Sequence, residues 1–298
     1  MTNTKIAFYL MNEKGFYTLK KFIKNFGAQN IVYIVSSQDN NMKKDYFHEI
    51  MVLCKKKNIL FFNRNDDYKE YEKKFQGYRF TIGWKWMIKN EKKLIVFHDS
   101  LLPMYRGFSP LVNSLINGEK VIGVTALFAN SEYDKGDIIM QKSITISYPI
   151  TIKKSIKKIR PLYYQLVEQI YNLIINNQDL PSYIQDEDKA TYSIWLNEKD
   201  YYINWEEWSA KKIKRFVDAV GYPFDNAKSI LNSQIIEVIE VKIIKDIKIK
   251  NRKRHLGKIV FIKENYPVII CKKGLIALVK IHNGNDNKFK INFRSKFQ

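Results

Sequence analysis

Residues 98–107, HDSLLPMYRG, set an imidazole, a carboxylate and a hydroxyl in succession directly after the apolar run KLIVF. Histidine is the side chain that both takes and gives a proton near neutral pH, and His98 is one of only four in the chain. A second acidic group, Asp134 with Asp137 nearby, follows two apolar runs later, in the segment DKGD. A histidine and an aspartate brought together offer proton transfer to or from a bound molecule. Taken singly, each has a plainer explanation: a histidine at a strand end, and a turn aspartate ahead of Gly136. A lone His/Asp pair falls short of a metal ligand set, so no metal is expected. Side chains alternate along a strand, so Asp99 should point away from His98, which leaves Ser100 to brace the loop.

The elements that must position these residues are readable in the hydrophobic periodicity. KIAFYLM (5–11), NIVYIVSS (30–37) and ILFFN (59–63) are short β-rich runs, separated by the helical patterns GFYTLKKFIKNF (15–26) and DYFHEIMVLCKKKN (45–58). This βαβαβ order predicts an α/β domain with a mainly parallel sheet. LIVFH (94–98), VIGVTALFA (121–129) and DIIMQKSITI (137–146) add strands, and PLVNSLINGE (110–119) a proline-led helix. A long amphipathic helix over 151–177, with Pro161 as a kink, closes the domain. Ligands bind open α/β sheets at the carboxyl ends of strands. His98 and the loop 130–136 both fall there, so they can converge.

Beyond a polar stretch near 176–183 the pattern changes to one helix, AKKIKRFVDAVG (210–221), and then several short strands with turns between them. This predicts a small antiparallel β-module, a barrel or half-barrel. The expected division is 1–188 for the α/β domain and 189–298 for the β-rich one.

Composition excludes several classes. The first βα turn, MNEKG, has no G-x-G-x-x-G, which disfavours nicotinamide chemistry. Cys54 and Cys271 lie far apart without ligand spacing, which suits a reducing cytoplasm. No apolar run is long enough to span a bilayer, and the opening residues lack secretory character, so a cytoplasmic location without membrane insertion is expected. The net charge of +21 invites a nucleic-acid partner. Only eight of the 51 basic residues are Arg, however, and base and phosphate readers lean on Arg forks. A compositional bias with a Lys-rich solvated surface fits better, and a cationic field drawing in an anionic small molecule is the weaker option. The densest run, KIKNRKRH (248–255), reads as an exposed hairpin tip.

HDSLLPMYRG (98–107), NGEKVIGVTALF (117–128) and DKGDIIMQ (134–141) together resemble the signature of the folate-dependent formyltransferases. That family carries Asn-x-His-x-Ser-Leu-Leu-Pro, an Arg-Gly, a Gly-x-Thr strand and an Asp-x-Gly loop. NWEEWSAKKIKRFVDAVGYPFDNA (204–227) is similar to the start of the C-terminal domain of its nucleotide-sugar N-formyltransferases. The resemblance implies a Rossmann-like catalytic domain followed by an OB-like barrel. It also implies formyl transfer from N10-formyltetrahydrofolate, as donor cosubstrate, to the amine of a nucleotide-linked amino sugar for surface glycans. A homodimer is in keeping with the family's sugar enzymes.

By the resemblance, His98 is the acid/base and Asp134 orients it, with Asp137 a rival for that role. Trp86, Met87 and Ile88 match the pterin-binding segment, although Met87 and Ile88 suit core packing equally well. Asn130, Ser131, Glu132 and Tyr133 form the opposing loop that leads into Asp134. Lys85 and Arg106, with Gly107 beside it, are candidate partners for the acceptor's diphosphate; Lys85 is equally suited to a solvated surface. Tyr222 either stacks on a base or sugar or anchors the interdomain turn.

The pattern is broken at one place. The family asparagine two residues before the histidine is Val96 here, and valine cannot donate to an oxyanion. Loss of one such donor typically removes about 3 kcal/mol of transition-state stabilisation. Another donor must substitute, or His98 must take both tasks, or the protein is a non-catalytic binding relative. A methionyl-tRNA formyltransferase is the other alternative, against which stands MYRGFSP (104–110), where that enzyme shows Arg-Trp-Arg-Gly-Ala-Ala-Pro.

Overall fold

The computed structural model describes residues 4–283 and 291–298. The elements follow in chain order: β1 (Ile6–Leu10), α1 (Asn12–Phe26), β2 (Ile31–Ser36), α2 (Phe47–Lys56), β3 (Leu60–Asn63), α3 (Lys69–Lys74), β4 (Tyr78–Ile82) and β5 (Leu94–His98). Then come β6 (Arg106–Gly107), α4 (Pro110–Asn117), β7 (Val121–Phe128), β8 (Ile138–Thr145), α5 (Ile152–Ile175) and β9 (Tyr192–Ser193). The last are α6 (Ala210–Val220), β10 (Ala227–Leu231), β11 (Gln234–Ile244), β12 (Ile259–Lys263), β13 (Tyr266–Ile270) and β14 (Leu275–His282). Among the described residues no helix is long and apolar enough to cross a membrane.

The chain divides into two compact units. The first comprises the chain up to Leu111, Val121–Ile146 and Ser155–Ile194; the second comprises Val112–Lys120, Ser147–Lys154 and the chain from Trp195 onward. Residues 189–194 therefore belong with the first unit rather than the second, because β9 pairs with β6.

In the first unit seven strands form one sheet in the order β3-β2-β1-β4-β5-β7-β8. The strands from β3 to β5 are parallel, whereas β7 and β8 run antiparallel. Strict alternation gives the sheet two different faces. One carries Phe8, Phe80 and Phe97, linked edge to face and packed against Phe22 of α1 and Tyr163 of α5. Helix α1 turns Gly15, Thr18, Leu19 and Phe22 inward, the spacing of a single helical face. Helix α5 runs on through Pro161 without interruption. The other face carries Ala7, Tyr9, Tyr33 and Val35, covered in part by Trp84 and Ile88. Thr81 lies beside Tyr9 and Val96 in register, so Thr81, Val96 and His98 share that second face.

The second unit contains a five-stranded antiparallel sheet in the order β10-β11-β14-β13-β12. Its edges are β10 and β12, and the C-terminal tail bridges them. Ile230 and Gln298 exchange both backbone hydrogen bonds at 2.8 and 2.9 Å, while Phe297 N donates to Gly257 O at 2.8 Å. The buried Phe297 ring packs against Trp205 at 5.8 Å. The expected barrel is thus closed by a tail segment that no strand pattern marked. KIKNRKRH is not a hairpin tip. Arg252–His255 form a 3-10 turn, and Arg252 donates inward to Cys271 O at 3.1 Å and Gly274 O at 3.0 Å.

If the tail closes the barrel, Phe297→Ala should destabilise the second unit by about 3–5 kcal/mol, the usual cost of truncating a buried phenylalanine. Urea unfolding followed by tryptophan fluorescence measures it, and an unchanged midpoint would show that the tail is dispensable.

Candidate active site

β5 ends in His98, and the alternation of its side chains splits the next two residues between the faces. The His98 ring is 7% exposed. Its Nδ1 faces Asp134 Oδ1 at 3.3 Å, and its Nε2 lies 2.8 Å from Tyr105 O. A carbonyl only accepts, so Nε2 carries a proton in this contact. Asp99 turns to the opposite face, where it pairs with Lys14 and accepts from the Tyr163 hydroxyl. Burial, with Asp99 alongside, pushes the Tyr163 hydroxyl well above the ordinary tyrosine range. Asp99 is thus part of the packing between sheet and helices, and His98 is left to the site.

Asp134 is fixed from three directions. Its Oδ2 accepts from Gly107 N at 2.8 Å, and its own carbonyl accepts from Gln185 Nε2 at 2.7 Å. The same amide nitrogen reaches Gly136 O at 2.7 Å. Its backbone adopts φ 56°, a left-handed conformation that aspartate tolerates better than most residues. Gly136 is required here, because a Cβ would stand 1.8 Å from Phe128 O. Asp137, the rival, accepts instead from the Ser182 hydroxyl at 2.6 Å on the surface. Asp134 is the carboxylate at His98.

The loop between His98 and Gly107 is held by hydroxyl and amide side chains. Ser100 Oγ donates to Met104 O at 2.7 Å, the bracing role expected of it. Thr125, opposite His98 on β7, donates to Ser100 O at 2.7 Å and accepts from Leu102 N at 3.0 Å. Gln141 Nε2 adds a bond to Leu102 O at 2.8 Å. From the other side, Arg106 N donates to Thr191 O at 2.8 Å and Phe108 N to Ser193 O at 2.9 Å.

Arg106 has a different position from the one the sequence suggests. It is fully buried. Its guanidinium bonds Gln185 Oε1 through Nε at 3.1 Å and through Nη2 at 2.9 Å, and it grips both oxygens of Glu187 at 2.7 and 2.8 Å. This bidentate pairing holds the Glu187 carboxyl below the usual range. Arg106 cannot also bind a diphosphate; it holds Gln185, which holds the Asp134 loop. Lys85 is committed too, in an ion pair with the buried Asp39.

The segment after β4 forms one wall. Trp84 packs edge to face on Tyr9 at 5.2 Å and on Trp86 at 5.0 Å, and Arg64 lies 4.2 Å over the Trp86 ring. Ile88 is half-buried against the sheet cluster, whereas Met87 is exposed. Trp84 Nε1 is buried without a hydrogen-bond partner. Among the described residues the backbone of 84–89 makes no hydrogen bond either. Asn130, Ser131, Glu132 and Tyr133 form an exposed turn, in which the Asn130 carbonyl oxygen accepts from Ser131 Oγ at 3.0 Å. Tyr133 packs on Phe108 at 5.5 Å. Tyr222 lies in the second unit, exposed, with Lys153 Nζ 5.1 Å over its ring. Among the described residues no group of three metal-ligating side chains occurs.

Sequence reasoning missed Gln185, Glu187 and the 191–193 segment, which act across some 80 residues. It also missed the Tyr105 carbonyl and the hydroxyl of Thr81. Thr81 is 5% exposed, and among the described residues its side chain has no hydrogen-bond partner.

His98 and Asp134 stand together at the carboxyl end of β5, which runs parallel to β4, a pair of groups able to take or give a proton. The chain matches the family described as "Formyl transferase" over residues 19–169 and "Formyl transferase, C-terminal domain" over residues 196–295. It belongs to the formyl transferase family. Among curated relatives, it is 32% identical over 146 residues to the methionyl-tRNA formyltransferase of Syntrophomonas wolfei, covering 49% of this chain and 46% of that protein. It is 30% identical over 205 residues to that of Thermodesulfovibrio yellowstonii, covering 65% of each. The chain thus spans about half to two thirds of the curated relatives it matches. Among solved structures, the N-formyltransferase from Helicobacter canadensis in complex with folinic acid and dTDP-3-aminofucose aligns with a TM-score of 0.63 at 20% identity, covering 92% of this chain and 98% of that one. WlaRD, a sugar 3N-formyl transferase, aligns with a TM-score of 0.62 at 20% identity, covering 92% and 96%. These structural likenesses establish the fold.

The Arg106 assignment makes a prediction that a phosphate-binding role would not. Arg106→Ala should destabilise the first unit by about 2–4 kcal/mol, because it strands the buried Gln185 carbonyl and leaves Glu187 without its cationic partner. Arg106→Lys should recover little of that, since one ammonium cannot replace the fork. Chemical denaturation of the three proteins decides it.

Proposed function

We propose that this chain transfers a formyl group from N10-formyltetrahydrofolate to the amine of a nucleotide-linked amino sugar. One observation carries the reading: His98 and Asp134 meet at the carboxyl end of β5, 3.3 Å apart, and Gly107 N fixes the carboxylate. The likeness to the sugar enzymes along nearly the whole chain supports the choice of acceptor. So does MYRGFSP (104–110).

The aromatic wall fits the donor. The orphaned Trp84 Nε1 and the unbonded backbone of 84–89 are polar groups beside apolar side chains, which is what a pterin edge needs. Trp86, Met87 and Ile88 would hold it, with 130–133 opposite. When bound, the folate supplies an activated formyl group, and the proton lost by the amine balances the one gained by the leaving nitrogen. Asp134 keeps the His98 ring oriented through Nδ1. The Nε2 proton, now shared with Tyr105 O, is the one that can be exchanged with reacting groups. The amine must attack as the neutral species; Nε2 gives its proton to the leaving nitrogen and is only then free to take the one the amine loses, which until that point water beside Asp134 can accept.

Val96 leaves the carbonyl oxygen without the family's side-chain donor. Thr81 stands beside Val96 in the parallel register, on the His98 face, with its hydroxyl unpartnered among the described residues. We assign it that task. His98 then need not serve two oxygens at once.

A second reading has its own support: the curated relatives are methionyl-tRNA formyltransferases, and the chain carries a net charge of +21. In that case the acceptor is the aminoacyl end of a tRNA. Counterion release makes tRNA affinity fall steeply with salt, whereas a nucleotide sugar's falls far less.

The decisive assay is a panel of nucleotide-linked 3-amino and 4-amino sugars, with charged initiator tRNA alongside, each with N10-formyltetrahydrofolate. His98→Asn should lower kcat by about 10²–10⁴-fold on the true acceptor. Thr81→Val should lower kcat about 10²-fold with KM little changed, and Thr81→Ser should restore most of it. Background rates on every sugar, with turnover on tRNA, would replace the first reading by the second. Folate binding without turnover on any acceptor would make the chain a binding protein.

A further inference from the structure

The second unit holds a cavity of about 750 Å³, and every residue that lines it belongs to that unit. One wall is the outer face of α6. Lys211, Lys214, Arg215 and Asp218 recur at the spacing of a single helical stripe, and all four line the cavity. The opposite stripe of α6 (Ile213, Phe216, Val217 and Val220) is buried, so the charged stripe is held in place by packing. Ser209 caps the helix, accepting from Lys212 N at 3.3 Å.

The cationic groups differ in how free they are. Lys214 is bound by Asp218 at 2.6 and 2.7 Å. Arg215 Nε donates to Ile116 O at 2.9 Å, and its guanidinium packs on Gly118, where a Cβ would come within 3.1 Å. This contact positions the planar group at the cavity wall. Lys211, Lys242 and Lys263 line the same cavity, and among the described residues none has an ion pair or hydrogen bond. The acids are outnumbered: Asp218 is already paired, and Glu264 is the other acidic lining residue.

The remaining lining is apolar and aromatic. It includes Ile243 and Ile244, which alternate across the two faces of β11, with Ala277 of β14 on the Ile244 face and Tyr148, Pro149 and Tyr266. Tyr266 and Lys263 flank a two-residue turn, Glu264-Asn265, in which both residues have positive φ, of 52° and 65°. Tight hairpin turns of this kind fix the direction of their flanking side chains. Three ammonium groups without a hydrogen-bonded or ion-paired partner, beside one acid and an apolar, tyrosine-edged lining, suit a molecule that is flat and apolar at one end and multiply anionic at the other.

We propose that this cavity is a binding site for a nucleoside diphosphate, distinct from the His98 site. The base lies against the apolar lining at Ile243 beside a tyrosine, and the diphosphate meets Lys211, Lys242, Lys263 and the free edge of Arg215. Cavities of this size ordinarily enclose most of a ligand of that class. The proposal does not depend on formyl transfer, because binding is read without turnover.

Isothermal titration of the full chain with UDP and ADP tests it, with inorganic pyrophosphate and uridine as partial probes. At least one nucleotide should bind with a dissociation constant below about 1 mM, and each partial probe at least about tenfold more weakly. The K211Q/K242Q/K263Q variant and, separately, Ile243→Glu should each weaken that site about tenfold or more. All four positions are exposed, so thermal midpoints without ligand should be unchanged. If the His98 unit also takes nucleotide, the wild type shows two sites and the variants one. Three results would overturn the proposal: no saturable nucleotide binding, affinities and site number untouched by both variants, or pyrophosphate binding as tightly as the nucleotide. Competition by tRNA alone, without nucleotide binding, would equally overturn it and assign the surface to RNA.

Discussion

The carboxylate of Asp134 joins parts of the chain that are otherwise independent. One oxygen faces the His98 imidazole and the other accepts from the Gly107 amide. His98 sits at the end of a strand, Gly107 at the end of the following loop, and Asp134 in the turn between β7 and β8. A carboxylate accepting a backbone N–H in a largely buried position is held more firmly than a surface ion pair. Its loop is in turn fastened by Gln185 and, through it, by Arg106. Orientation of the imidazole is therefore set by linked contacts that run from His98 through Asp134, Gln185 and Arg106 and end on the exposed Glu187.

The strand and helix pattern was legible because each element shows one period. The βαβαβ opening, the apolar run into His98, the α6 stripe and the β-rich tail all fell close to where alternation or a 3.6-residue repeat placed them. His98 and Asp134 were legible by the order of motifs around them, and Asp99 by alternation alone. Arg106 was not. A sequence cannot tell an arginine that faces a ligand from one buried against acids 80 residues away, because both are chosen for the same bidentate geometry. Gln185 and Thr191 carry no local signal, since each matters only through bonds to residues some 50 to 85 positions earlier in the chain. The tail that closes the barrel was invisible for a similar reason: four residues carry too little periodicity to mark a strand.

The two faces of the first sheet divide the work. Phenylalanines and α5 cover one face, where Asp99 is tied to Lys14 and Tyr163. The other face carries a run of polar or ionisable groups (Tyr9, Thr81, His98), and among the described residues the hydroxyls of Tyr9 and Thr81 have no hydrogen-bond partner. Unpaired buried polar groups are costly and so are uncommon. Tyr9, Tyr33 and Trp84 each retain one on this side of the sheet. That concentration marks the face on which a polar ligand would recover hydrogen bonds.

Charge gives the same lesson at larger scale. A surplus of 21 positive charges, mostly lysine, says little by itself, because solvated ammonium groups are the ordinary outcome of such a composition. Position separates the residues. Lys85 and Lys214 are spent on Asp39 and Asp218, and Arg106 and Arg252 are internal struts. Of the lysines without a side-chain partner among the described residues, three line one cavity of the second unit: Lys211, Lys242 and Lys263. A sequence count cannot make that distinction: Lys211, unspent, and Lys214, spent, lie one helical turn apart on a single stripe. The difference is the carboxylate of Asp218, one turn further on, which reaches the second and not the first.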